Sequence, residues 1–210
     1  MTLTVKLIDS KAKIAKAMNE ALSVELNKNL KKNTKRAQDQ VKSFIPQWIR
    51  EQPEVQSILD QGVFGSLNAQ FGFIAGTASE AVEAIVSAVS DSITVEFETV
   101  KGNLSGGIVF YLQPDNFANI LSLPEAFIPA LSGSLPWLEW LLTRGATTIV
   151  SGYSYAPDNS GRSGGGTMRL GKAWRVPPQF AGTTEDNFIS RALEGREKEL
   201  SSILRGALDA

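Results

Sequence analysis

Residues 92–113 read SITVEFETVKGNLSGGIVFYLQ, and the way this stretch folds decides the class of the protein. Ile93, Val95 and Phe97 alternate with Thr94, Glu96 and Glu98, the period-two pattern of a strand with one covered face and one wet face. KGNLSG at 101–106 is rich in turn formers, and GIVFYL supplies a second β-branched and aromatic run. The stretch therefore predicts a β-hairpin over 92–112, with Glu96 and Glu98 on its polar face.

Upstream the period changes. Ile14, Met18, Leu22, Leu26, Leu30, Ala37, Val41, Phe44 or Ile45, and Trp48 recur every three or four positions, which predicts a helix from Ser10 to about Ile49. Asp9 or Ser10 is placed to cap it, Asn33-Thr34 is a candidate break, and Pro46 is expected to kink it. At 1.5 Å per residue the helix reaches ~60 Å, more apolar stripe than one small domain covers, so part of it is expected to pack on something else. Residues 52–76 look irregular. Thr77 and Glu80 stand three apart like a capping box, ahead of a helix carrying Val82, Ile85, Val86 and Val89.

Downstream of the hairpin, the prolines between Asn116 and Leu131 predict a short helix and turns. SLPWLEWLLTRG reads as an amphipathic helix capped by Ser134, with Pro136 in its first turn, Gly145 as its stop, and Trp137 and Trp140 in the core. ATTIVSGYSY predicts a third strand and AWRV a short fourth. From about Thr184 a helix carries Phe188, Ile189, Ala192 and Leu193, and the pattern resumes after Gly195 with Leu200, Ile203 and Leu204. This order predicts an α+β protein: long N-terminal helices, a small antiparallel β-sheet with the hairpin, and a C-terminal helix. The expected organisation is an N-terminal helical segment, 1–52, and an α+β core, 53–210, carrying an extended glycine-rich loop at 156–173.

The composition narrows the chemistry. The chain of 210 residues is 42% hydrophobic and 20% charged, and contains neither cysteine nor histidine. That removes disulfides, thiolate nucleophiles, Ser-His and Cys-His pairs, and nearly every zinc or redox-metal site. No stretch approaches a membrane span, and the N-terminus lacks the apolar run of a signal peptide. The net charge of −1 is segregated: residues 1–50 hold eleven Lys/Arg against four Asp/Glu, residues 51–140 a single lysine against eleven acids, and residues 141–210 nine basic groups against seven acids. Segregation of this kind suits contact with two different surfaces or with copies of the chain itself.

Two motifs invite a ligand. GTMRLGKA spans Gly166, Gly171 and Lys172 in the spacing of a phosphate-binding loop, but Ala173 stands where the magnesium-binding hydroxyl belongs. Trp174-Arg175-Val176-Pro177-Pro178 then forbids the helix that should begin at the lysine. No nucleotide, metal or other cofactor is expected. The loop between Tyr155 and Trp174 instead reads as a flexible, basic arm that orders against a neighbouring subunit, with Arg162, Arg169, Lys172 and Arg175 as its contacts. The second motif is NKNLKKNTKR, where Lys28, Lys31, Lys32, Lys35 and Arg36 form a candidate phosphate-contacting face. It has no interleaved aromatics, so at most non-specific nucleic-acid binding is expected.

The C-terminal third, with its glycine-rich arm, a strand into VPPQF and a helix reading FISRAL, resembles virion structural proteins of tailed bacteriophages, the neck or tail-completion proteins of the head-tail connector. Pro178 and Phe180 match that family's proline and aromatic, and Ala192 and Leu193 its helix end. The resemblance covers about residues 77–194, with the hairpin and the WLEWLLTRG helix in the expected order. It departs where AVEAIVSAVSDS places a full helix before the first strand, a position at which the family often has a Thr-Gly-x-Leu-Arg-like turn. What it implies is no catalysis: a subunit of a ring, often six-fold, seated in the virion between head-closing proteins and the tail tube, assembled in the host cytoplasm, with DNA passing through unbound. Glu96 and Glu98 would then be candidates to face the channel, where carboxylates repel phosphates. The alternatives are another virion position, such as tail terminator or baseplate component, and a non-specific nucleic-acid-binding module built on the basic helix. No enzyme site can be assembled: there is no nucleophile elbow, and Glu185-Asp186 sits at a helix start, where the dipole accounts for it.

Overall fold

The computed structural model describes residues 9–113, 116–130 and 133–208. It is α+β, with a long N-terminal helix, three small antiparallel hairpins and a C-terminal helix. The chain divides into two compact units. The first unit comprises residues 1–41, 94–111 and 200–210; the second comprises 42–93 and 112–199. The boundary falls inside the first helix, between Val41 and Lys42.

That helix, α1, is Lys11–Arg50 and is unbroken. The Ser10 hydroxyl accepts the Lys13 N–H at 3.3 Å, so serine supplies the cap. Asn33-Thr34 does not split the helix, because the Thr34 hydroxyl bonds back to the Leu30 carbonyl at 2.8 Å instead of competing with the ladder. Pro46 stands inside the helix, between the fully buried Ile45 and the buried Trp48 and Ile49. Burial of those three side chains offsets a proline cost of about 3 kcal/mol.

In the first unit, β1 (Thr94–Glu98) pairs with β2 (Gly107–Tyr111) in the predicted hairpin, Thr94 opposite Tyr111 and Glu98 opposite Gly107. Val95 and Phe97 are half-covered while Thr94, Glu96 and Glu98 are exposed, as the alternation requires. The connecting loop is fastened to α1: the Asn27 amide donates to the Val100 carbonyl at 3.0 Å and accepts the Val100 N–H at 2.7 Å. Gly106 is needed there, since a Cβ would stand 2.5 Å from the Thr99 carbonyl oxygen. The last helix of the chain, α8 (Glu197–Leu208), contributes the buried Ile203.

The second unit carries most of the core. Its helices are α2 (Pro53–Leu59), α3 (Leu67–Phe71), α4 (Thr77–Ser92), α5 (Ala118–Leu121), α6 (Trp137–Leu142) and α7 (Phe188–Leu193), with a 3₁₀ turn at Pro124–Ala126. An aromatic cluster forms its centre: Phe71 meets Trp137 and Trp174 edge-on at 5.8 and 5.3 Å, and Phe73 meets Trp137 at 5.1 Å. Trp48 is sandwiched between the Phe44 ring at 5.9 Å and the Arg196 guanidinium at 5.1 Å.

Several expectations are corrected here. Thr77 is the first residue of α4, not its cap; Gly76 precedes the helix and the Thr77 hydroxyl donates to Ile74, so there is no capping box with Glu80. The helix at 137–142 is shorter than read, because Ser134 belongs to a strand and Pro136 stands at the cap. That strand, β4 (Gly133–Leu135), pairs with β3 (Ile128–Ala130) in a hairpin that the prolines concealed; Leu131 and Ser132 lie outside the described residues. The strands do not form one sheet. β1–β2, β3–β4 and β5–β6 are three separate two-stranded ribbons, where β5 is Val150–Ala156 and β6 is Thr167–Trp174.

Candidate functional site

The second part of the glycine-rich stretch is a strand. β6 begins at Thr167, which shortens the expected loop of 156–173 to residues 157–166. Gly171 is required by the pairing itself, because a Cβ there would stand 2.2 Å from the Ser154 hydroxyl. Of the residues that imitate a phosphate loop, Gly171 and Lys172 therefore lie along an extended strand, and no helix follows them.

Nor is the remaining tip a free arm. The Tyr155 hydroxyl donates to the Gly165 carbonyl at 2.6 Å and accepts the Gly65 N–H at 2.8 Å. Ser163 is buried, and Gly165 lies so close to Ala69 that their Cβ atoms would be 2.7 Å apart. The Arg162 guanidinium donates to the carbonyls of Gly72 and Pro129, the latter at 2.7 Å. The glycines serve close approach to the loop's own unit, so it is docked without a partner.

The four candidate arm cations consequently separate. Arg162 is engaged as described. Arg169 pairs at 2.5 Å with Asp158, whose carboxyl is held below its ordinary range by hydrogen bonds from Ser160 and then by Arg169. Arg175 donates to the Thr148 hydroxyl at 3.1 Å, and the Lys172 side chain is exposed. Between them stands a residue the sequence reading passed over: Leu170 is 88% exposed although it occupies a strand. Its partner across the ladder is Tyr153, 43% exposed, brought opposite it by a register slip beside Gly152, whose φ is +80°.

Glu96 and Glu98 are exposed on β1. Residues opposite each other in an antiparallel pair share a face, so Val109, opposite Glu96, and the 52% exposed Tyr111, opposite Thr94, stand on the same side. On α1, Lys28, Lys31, Lys32, Lys35 and Arg36 are all exposed, spaced to share a helix face opposite the buried Leu30 and Ala37. On the same helix Met18 is 59% and Leu22 48% exposed, with Leu26 continuing the row at a four-residue spacing.

A cleft of about 540 Å³ opens in the second unit, lined by Tyr153, Tyr155, Met168, Leu135 and Trp174, with Arg162 as its charged residue. It contains no carboxylate. The one deeply buried acid among the described residues is elsewhere: Glu54 on α2, paired with Arg191 of α7, which also holds Asp186. Burial pushes the Glu54 carboxyl above its ordinary pKa, against the opposing pull of Arg191. Asp186 is thus an ion-pair partner, while Asn187 caps α7 with its carbonyl oxygen. Among the described residues no cluster of three or more acidic side chains could hold a metal ion, and no helix is long and apolar enough to cross a membrane.

Comparison with family models, curated proteins and solved structures finds no match.

Proposed function

We propose that this chain is a structural, non-catalytic subunit of a tailed-bacteriophage virion, a neck or tail-completion component of the head-tail connector, assembling with copies of itself into a ring through which DNA passes. The observation that carries the reading is the apolar row Met18, Leu22 and Leu26 left in water on α1. Exposed apolar side chains in a continuous row are the mark of a surface completed by another protein. The order of hairpin, helix, glycine-rich strand and FISRAL helix supports the neck position through the family resemblance alone.

A second reading rests on a separate observation. The five cations of residues 28–36 share a face of α1, and none of them has an acid partner among the described residues, a surface suited to phosphates. Sedimentation velocity at low and moderate salt, with and without a short DNA duplex, separates the two. A closed oligomer indifferent to duplex upholds the ring subunit. A monomer that shifts with duplex at low salt overturns it in favour of the nucleic-acid module.

A further inference from the structure

We infer that copies of this chain join through two unlike hairpins: the Tyr153–Leu170 face of β5–β6, with Lys172 on the same strand and Arg175 just beyond its end, seats on the Val109–Tyr111 face of β1–β2 of the next copy, flanked by Glu96 and Glu98. The inference rests on the self-assembly reading above and assigns the contact between copies to surfaces other than the α1 row.

Leu170 is the starting point. At 88% exposed it is the most exposed large apolar side chain among the described residues, and the ladder sets it against an exposed tyrosine. The surrounding charge has one sign. Residues 150–175 hold Arg162, Arg169, Lys172 and Arg175 against a single acid, Asp158, which Arg169 already occupies. Lys172 and Arg175 have no carboxylate partner among the described residues.

The other hairpin has the same build with the opposite sign. Tyr111 is half exposed, Val109 is half-covered beside it, and Glu96 and Glu98 stand on the same side without an ion-pair partner among the described residues. Residues 92–113 contain one base, Lys101, in the turn. An aromatic-aliphatic pair on a basic hairpin thus has a counterpart edged by carboxylates on the same polypeptide.

Each surface ion pair contributes only about 0.2–1 kcal/mol. The apolar pairs therefore supply the contact, while the charges fix the register and exclude basic-on-basic and acidic-on-acidic docking. Because the two faces differ, every copy presents one free face of each kind. That is a heterologous contact, which closes into a ring when the rotation per copy divides a full turn.

Two charge-reversed chains test this by sedimentation velocity, with circular dichroism and thermal melting to verify that each is folded. One carries Lys172→Glu and Arg175→Glu, the other Glu96→Lys and Glu98→Lys. Each alone opposes like charges at the contact and is expected to lose the wild-type oligomer. Mixed in equal amounts they alternate, every contact again joins opposite charges, and the oligomer is expected to return. Leu170→Asp, which does not depend on the flanking charges, is expected to dissociate it as well. A wild-type oligomer unaffected by either reversal, or a mixture that stays dissociated, overturns this interface while leaving self-assembly standing. If only the Glu96→Lys/Glu98→Lys chain retains the oligomer, the carboxylates are not in the contact, and the interface is overturned in favour of a channel position. A wild-type chain that remains monomeric at every concentration overturns both the interface and the self-assembly reading.

Discussion

Asn27 and Val100, 73 positions apart, are joined as two strands would be: one side-chain amide satisfies both the N–H and the carbonyl of one backbone residue. The loop between β1 and β2 has no other side-chain tie of this kind to α1 among the described residues. Because Val100 is buried, removing the amide leaves two polar groups without partners.

Asn27→Ala is therefore expected to destabilise the chain by about 1–3 kcal/mol. Asn27→Asp keeps an acceptor for the Val100 N–H but sets a carboxylate oxygen against the Val100 carbonyl, so it should destabilise the chain too, and less at acid pH, where the protonated carboxyl can donate. Urea unfolding of the two variants beside the wild type, at neutral and acid pH, measures both costs.

Glu54 sets a pH dependence whose direction follows from burial. Its folded carboxyl titrates above the ordinary value of 4.5, so across that window the folded state holds a proton that the unfolded state has released. Stability from this group is then greatest below 4.5 and declines as the pH rises through the folded pKa. Glu54→Gln should flatten that part of the curve in urea unfolding measured from acid to neutral pH. An unchanged slope would remove Glu54 as its source.

Removing the cation instead of the acid gives the converse result. With Arg191→Ala the buried carboxylate loses its ion pair, and at neutral pH the cost is expected to be about 3 kcal/mol. The penalty should shrink as the pH falls and Glu54 takes up a proton, whereas a purely steric role for Arg191 would give a penalty independent of pH.

The docked glycine loop predicts resistance to protease. Arg162 lies in a loop rich in glycine, yet its guanidinium holds two carbonyls and the neighbouring Ser163 is buried. Trypsin should cut after Arg162 slowly in the folded chain. Gly166→Ala, whose new Cβ would lie 2.3 Å from the Tyr155 ring, should release the loop and speed that cut, as mass spectrometry of the fragments would record. Equal rates in both proteins would mean the loop is not held as described.

Legibility in the sequence tracked how local the cause of each element was. The β1–β2 hairpin and most of α1 were readable because alternation and a helical period are written in adjacent residues. β3–β4 was hidden because its strands are three residues long and include Pro129 and Gly133. β6 reads as a loop in the sequence because Gly171, which looks like a breaker, is there to admit Ser154 from 17 positions upstream. The flexible loop expected at 156–173 is docked for the same reason: a glycine's value as a close-contact residue depends on what lies opposite. Of the candidate surfaces, the charged residues were named from the sequence. Leu170 and Tyr153 were not, because their shared exposure exists only once the register slip at Gly152 has set them side by side.

The three-segment make-up of the first unit imposes an order on synthesis. Residues 42–93 and 112–199 are all synthesised before Leu200, whereas the first unit still lacks its closing strip at that point. Glu96, Glu98 and Tyr111 therefore sit on an unfinished unit until its third segment has been made. If those residues are where copies meet, premature joining on the polysome is disfavoured by the order of the message, without any chaperone to hold the chains apart.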